Sequence, residues 1–179
     1  MRHRSTVKPA TTGAFGFLVL ATSTLAGCTR APATPIAKAA SAGDAALVRQ
    51  LLENGSDPDD MAQTGLTPLM YAARTGHVLV VQELVRHGAR PDLTDKAMTG
   101  WTALIHAIHK GQDKAALALL EGGAQPDVRV GHGATALVYA AAYGNTAIVR
   151  ALLERGADPR VPLTHISRSG HLALRTSCA

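Results

Sequence analysis

The sequence predicts an all-α solenoid, in which pairs of short antiparallel helices stack one on the next through inter-repeat loops. A Thr-Pro-Leu-like tripeptide begins at Thr34, Thr67, Thr102 and Thr135, so successive copies start 33, 35 and 33 residues apart. Each threonine is followed by a glycine nine residues later and by a second glycine twelve residues after the first. A fixed period of this length is typical of stacked supersecondary units rather than of one globular core.

Residues 1–27 are expected to be a signal peptide that is removed. Arg2, Arg4 and Lys8 form a basic start, and an apolar run of 13 residues follows over 14–26. This run is shorter than the ~20 residues that a membrane-spanning helix needs. A basic start followed by a short apolar run is the layout of a secretory signal.

The apolar run ends in Leu-Ala-Gly-Cys, which resembles the lipobox of bacterial lipoproteins. The resemblance implies cleavage before Cys28 and lipidation of its sulfur and new amino group, with residues 28–33 as a short tether. Thr29, in place of the aspartate that retains such proteins at the inner membrane, favours the outer membrane, facing the periplasm. The alternative is an ordinary signal peptide that happens to contain a cysteine.

Removal of the signal peptide changes the charge of the chain. The full chain has 18 lysines and arginines, and the mature chain keeps 15 of them against 13 acidic residues. A net charge this small predicts no basic face for binding phosphates, so nucleic acid is not an expected partner. About 150 mature residues suit one domain, which we expect to be monomeric. With Cys28 lipidated, Cys178 is the only other cysteine, so an intrachain disulfide is excluded.

Each repeat is predicted to contain two helices. Threonine caps the first helix, proline follows it in the first two copies, and the first glycine ends it. The second helix carries apolar residues at i, i+1, i+4 and i+5, which lie on one stripe, and the second glycine closes it in a left-handed conformation. The first helices are predicted over 37–42, 70–75, 105–110 and 138–143, and the repeats over 34–66, 67–101, 102–134 and 135–160. Residues 161–179 are interpreted as a degenerate cap or tail.

These motifs make residues 34–160 similar to the ankyrin-repeat family. The closest agreement runs from Gly65-Leu66-Thr67-Pro68-Leu69 to Gly88-Ala89. One departure concerns the histidine that usually follows Thr-Pro-Leu and bonds within its own repeat. Its position here holds Ala37, Met70, Ile105 and Val138. We therefore expect weaker bonding within the first helices, without a change of fold.

The sequence contains no strong catalytic pattern. There is no Gly-x-Ser-x-Gly elbow, no phosphate-binding glycine loop and no His-Glu-x-x-His, so neither enzymatic activity nor a cofactor is expected. The acidic residues Asp57, Asp59 and Asp60 lack the spacing of a calcium loop and are interpreted as solvated loop residues. An alternative of a different class is a metal site formed by His106, His109 and His132.

The family resemblance implies that an unknown protein partner binds a concave groove formed by the loop tips and the first helices. Trp101 is the only tryptophan, and tryptophan, tyrosine and arginine dominate interface energetics. Packing of Trp101 against the longer neighbouring loop is equally open. The implied contact positions are Gln63, Thr64, Leu66, Arg74 and Thr75 with the second repeat; Met98, Thr99, Trp101, His109 and Lys110 with the third; and His132, Ala134, Ala142 and Tyr143 with the fourth.

Several roles fit a tethered binding domain of this kind. One is scaffolding of an envelope complex, and another is an immunity-like neutralisation of a periplasmic toxin. A third is service as an accessory factor for an oxidative-stress enzyme, which rests on family analogy alone. The sequence does not separate these roles.

Overall fold

The computed structural model describes residues 34–96, 100–131 and 133–160, which form four antiparallel helix pairs. No strand occurs in these ranges, and the only β-like pairings there are isolated bridges that join Thr94 to Thr102 and Val130 to Ala134. The all-α solenoid predicted from the repeat is confirmed. The helices are α1 (Pro35–Ala42), α2 (Ala45–Glu53), α3 (Pro68–Thr75), α4 (Val78–Arg86), α5 (Ala103–His109), α6 (Asp113–Glu121), α7 (Ala136–Ala142) and α8 (Thr146–Glu154).

The first helices begin two residues earlier than predicted, directly after the threonine. In three of the four repeats the threonine hydroxyl accepts a hydrogen bond from the backbone N–H three residues on, as at Thr102, whose Oγ1 lies 3.4 Å from the nitrogen of Ile105. The threonine is therefore the N-cap, and the helix starts at the next residue. In the second repeat the sulfur of Met70 accepts from the backbone N–H of Thr67 at 3.4 Å. A methionine thus makes a local bond at the position of the missing histidine.

The glycine that follows each second helix has a left-handed backbone, as predicted. The φ angles of Gly55, Gly88, Gly123 and Gly156 are 85°, 85°, 87° and 84°. A Cβ atom at any of these positions would meet no heavy atom within 4 Å. The glycine is required by backbone conformation and not by crowding.

The helices form two layers. Helices α1, α3, α5 and α7 pack side by side in one layer, and α2, α4, α6 and α8 pack in the other. The apolar stripes of the second helices are largely buried in the interior repeats, where Leu84 and Leu119 have no exposed surface. At the ends, Leu47 and Leu153 are 40% and 45% exposed. Each stripe is covered by both neighbouring repeats, so a terminal repeat leaves half of its stripe open.

An apolar groove of about 410 Å³ lies beside Leu153, between α7 and α8. It occupies the side of the fourth repeat on which a fifth repeat would pack. The predicted cap or tail over 161–179 lies outside the described residues, as do the signal peptide and Cys28. In the described ranges, every helix is too short or too polar to cross a membrane.

Candidate partner-binding surface

Five ring side chains from the loop before α5, from α5, from α7 and from the residue after α7 form one cluster, which we call the aromatic cluster. Its members are Trp101, His106, His109, Tyr139 and Tyr143. Trp101 precedes the N-cap of α5, and its indole nitrogen donates a hydrogen bond to the hydroxyl of Tyr139 at 3.0 Å. The two rings meet edge-on with centroids 5.3 Å apart. Trp101 therefore joins two repeats, because its partner lies 38 residues further along the chain.

His109 continues the cluster toward solvent. Its ring centroid lies 4.9 Å from that of Trp101, and its Nδ1 lies 2.6 Å from the hydroxyl of Tyr143. The pKa of His109 is lowered, first by partial burial and then by the charges of Lys110 and Arg74. A neutral imidazole can accept the hydrogen bond from the Tyr143 hydroxyl, which leaves an exposed, oriented pair of rings at this end of the cluster.

Asp95 supports the cluster from below. Its buried carboxylate accepts hydrogen bonds from the backbone N–H groups of Gly100 and Trp101, at 3.2 and 3.0 Å. It also lies 3.0 Å from Nε2 of His106, with both side chains almost fully buried. These bonds close the loop that enters α5 and set the direction in which Trp101 leaves the backbone. Asp95 is a positioning residue.

Burial controls protonation within the cluster. Loss of hydration lowers the pKa of His106 to about 4, although the neighbouring Asp95 acts in the opposite direction. At neutral pH the ring is uncharged, and Nε2 carries the proton that it donates to the carboxylate. Burial also raises the pKa of Tyr139, while the hydrogen bond from Trp101 opposes this shift. His106, His109 and Tyr139 are therefore uncharged at neutral pH, and the nearby positive charge comes from Arg74 and Lys110.

The second repeat adds a smaller polar group. The hydroxyls of Thr64 and Tyr71 lie 2.6 Å apart, and Thr75 donates its hydroxyl proton to the carbonyl of Tyr71 at 2.9 Å. Gln63 is exposed and Arg74 is half-buried. Leu66 is only 5% exposed. We therefore revise its expected role from partner contact to support of the core.

Of the remaining predicted contact positions, four are described by the structure and three are not. Lys110 and Tyr143 are exposed, and Ala134 and Ala142 are half-buried. Met98, Thr99 and His132 lie outside the described residues. The packing and the contact interpretations of Trp101 are not exclusive, because the ring is packed on one side and partly exposed on the other.

Asp95, His106 as an anchor, and Tyr139 were not predicted as parts of this surface. For His106 and Tyr139, the sequence contained an indication in the residues that occupy equivalent positions of successive repeats. The fifth position of each tripeptide motif, counted from its threonine, holds Lys38, Tyr71, His106 and Tyr139. Tyr71 meets Thr64 and His106 meets Asp95, each in the loop before its own helix. Tyr139 meets Trp101, which lies in the loop one repeat earlier. Comparison of equivalent positions between repeats would have identified this row.

The structure places a carboxylate beside one of the proposed metal ligands, which the sequence did not indicate. Asp95 holds His106, and Tyr143 holds His109. Over 34–96, 100–131 and 133–160, no three histidine, cysteine or acidic side chains are grouped closely enough for a metal ion. His132, the third proposed ligand, is not among the described residues. The acidic residues of the first inter-repeat loop are not all solvated, because Asp59 forms an ion pair with Arg90 at 2.7 Å.

A second polar group lies on the opposite layer. Glu83 of α4 is buried and pairs with Arg49 at 2.7 Å and with Arg86 at 2.9 Å. The hydrogen bond from Arg49 is the main cause that lowers the pKa of Glu83. This group ties α2 to α4 and takes no part in the aromatic cluster.

Comparison with known families agrees with the repeat structure. The family model for three copies of the ankyrin repeat matches the chain over residues 20–95, 36–130 and 80–163. A search of curated proteins found no match to the chain. Ankyrin repeats form protein–protein interaction modules, and their family is typically non-enzymatic. With four helix pairs in the expected register and a family match over most of its length, this chain belongs to the ankyrin-repeat family.

Proposed function

We propose that this protein is a lipid-anchored ankyrin-repeat protein of the bacterial periplasm that binds another protein through its concave face and performs no chemistry of its own. The observation that supports this most is the aromatic cluster. Its rings are held by hydrogen bonds between repeats while Trp101 and Tyr143 keep accessible surface. Aromatic anchors of this kind supply most of the free energy at protein interfaces.

The fixed geometry of the cluster favours binding. Immobilising a side chain at an interface costs about 0.5–1.5 kcal/mol. Trp101 is already bonded to Tyr139, and Tyr143 to His109. Less ordering remains to be done when a partner arrives, so more of the contact free energy contributes to affinity.

The proposed anchor is a lipid on Cys28. Stable membrane attachment needs more than one acyl chain, which the lipoprotein pathway supplies. Metabolic labelling with palmitate tests this part directly. We expect label in the wild-type protein and none in Cys28→Ala, and label that persists in the variant would exclude lipidation at this residue.

The partner is sought by affinity capture of the acylated protein from intact cells. A Trp101→Ala, Arg74→Ala double variant removes two predicted contacts. The matched control is a Lys114→Ala, Arg150→Ala double variant, which changes exposed residues of the second-helix layer. Circular dichroism of all three proteins first establishes that they fold. We expect capture by the wild type and the control and loss of capture by the first variant; equal capture by all three would refute the concave-face assignment.

The same capture experiment distinguishes a scaffold, an immunity-like protein and an accessory factor. A scaffold is expected to bring down resident envelope proteins. An immunity-like protein is expected to bind one enzyme tightly, and its deletion is expected to harm the cell only when that enzyme is present. An accessory factor is expected to bring down an oxidative-stress enzyme whose activity falls on deletion.

A further inference from the structure

The acidic residues of the helices are confined to one of the two layers, while lysines and arginines occur in both. Residues 34–160 contain 12 lysines and arginines and 13 aspartates and glutamates, so this region has almost no net charge. The helical acidic residues nevertheless all lie in the second helices: Glu53, Glu83, Asp113, Glu121 and Glu154. The first helices and their C-caps carry Lys38, Arg74 and Lys110 and no acidic residue. Net charge alone had predicted no basic face, because a sum over the chain does not show in which layer the acidic residues lie.

The three cations of the first-helix layer have no acidic partner within the described ranges. Arg74 lies close enough to His106 and His109 to contribute to the lowered pKa of each. It therefore stands beside the aromatic cluster, with Lys110 at its exposed edge. Cations and oriented rings thus share one surface.

The acidic residues of the loops are mostly engaged within the chain. Asp59 binds Arg90. Asp92 accepts from the backbone of Gln125, and Asp127 from that of Asp158, each one repeat further on. Asp95 is buried beneath Trp101. Asp59, Asp92 and Asp127 thus join successive repeats, and Asp95 closes the loop before α5.

The cations lie on three successive first helices: Lys38 within α1, Arg74 near the end of α3 and Lys110 directly after α5. Packed helices lie about 8–10 Å apart, so a charge on each of three successive first helices gives a row about 20 Å long. An extended peptide rises about 3.3 Å per residue. Carboxylates on every third residue would then meet successive cations.

We infer that the segment of the partner that binds this face is an extended acidic stretch of polypeptide, whose carboxylates pair with Lys38, Arg74 and Lys110 beside Trp101. The inference rests on the proposed function and specifies the chemistry of the partner. Three cations on a domain of almost zero net charge are few for a phosphate backbone, whose binding releases counterions in proportion to the phosphates neutralised. An acidic protein segment is therefore favoured over nucleic acid.

Trp101 provides a direct test, because it is the only tryptophan and lies on the proposed surface. Its fluorescence is followed during titration with a peptide that has glutamate at every third position and serine and threonine between. Matched peptides carry glutamine or lysine in place of glutamate. Each exposed pair contributes about twofold to threefold, so we expect the glutamate peptide to bind about tenfold more tightly than the glutamine peptide, with the difference disappearing at high salt.

Two double variants test which cations cause the difference in affinity between the glutamate and glutamine peptides. Arg74→Gln with Lys110→Gln is expected to bring the affinity for the glutamate peptide to within a few-fold of the glutamine peptide. The control, Lys114→Gln with Arg150→Gln, removes equal charge from the second-helix layer and is expected to change neither affinity. An equal loss in both variants would show a net-charge effect and overturn the inference.

Two other outcomes also overturn it. One is a glutamate peptide that binds no better than the glutamine peptide. The other is an oligothymidine that binds more tightly than the glutamate peptide and depends on Arg74 and Lys110, which would indicate nucleic acid. If capture from cells still depends on Trp101 and Arg74 while the peptide result is negative, only the acidic chemistry is wrong. If capture does not depend on them, the proposed function fails.

Discussion

Acidification is predicted to destabilise this domain through one histidine, His106. Its pKa is lowered from an ordinary value of 6.5 to about 4, chiefly by burial. In the unfolded chain the same ring takes up a proton near pH 6.5. Between these two pKa values the unfolded state binds more protons, so stability is full above the unfolded pKa and falls as the pH falls.

The size of the effect follows from the shift. One pKa unit corresponds to about 1.36 kcal/mol, so full acidification through both pKa values removes roughly 3 kcal/mol. Near pH 4.5 most of this, about 2.5 kcal/mol, is already lost. Since domains of this size are stable by about 5–15 kcal/mol, the loss is a substantial fraction.

The assay is urea unfolding followed by circular dichroism, at neutral pH and at about pH 4.5, on wild type and His106→Gln. Glutamine can still donate a hydrogen bond to Asp95 but does not titrate. The wild type is expected to lose about 2.5 kcal/mol more than the variant over this interval. Titration of the carboxylates affects both proteins and largely cancels in the difference.

His87→Gln serves as the control, because His87 is an exposed residue at the end of α4. We expect the His87→Gln variant to keep the loss of stability that His106 causes between neutral pH and about pH 4.5, because His106 is unchanged in it. If wild type and His106→Gln lose stability in parallel, then burial of His106 does not govern the acid response, and the protonation state assigned to the cluster is wrong.

Three further predictions concern stability. A double-mutant cycle of Trp101→Phe and Tyr139→Phe is expected to give a coupling of about 0.5–1.5 kcal/mol for their hydrogen bond, and additive single effects would mean that the bond contributes nothing. Gly123→Ala is expected to cost about 1–2 kcal/mol in thermal unfolding, because alanine must adopt a left-handed backbone there, and an unchanged melting temperature would contradict this. Leu84→Ala, which empties a fully buried site, is expected to cost about 2–5 kcal/mol, whereas Leu79→Ala, at an exposed site, should stay within about 0.5 kcal/mol; comparable losses would contradict the assigned packing of α4.

The sequence by itself determined the helix pairs. Threonine caps, a proline after the cap, and a glycine after each helix act within a few residues, so their pattern can be read along the chain. The left-handed backbone of Gly123 was predictable in this way. The helix starts were misplaced by two residues because the tripeptide was counted outside the helix, although its threonine is the cap.

Tertiary structure decided what the repeats present to a partner. Trp101 meets Tyr139, and Asp95 meets His106, only after the loop closes and successive repeats stack. Burial then sets the charge of His106, which its residue type alone leaves open between charged and neutral. The absence of acidic residues from the first-helix layer likewise depends on which layer each helix joins. The helix pairs could be predicted because caps and terminal glycines act within a single helical turn. The partner-binding surface could not, because its residues come from different repeats and meet only when the repeats stack.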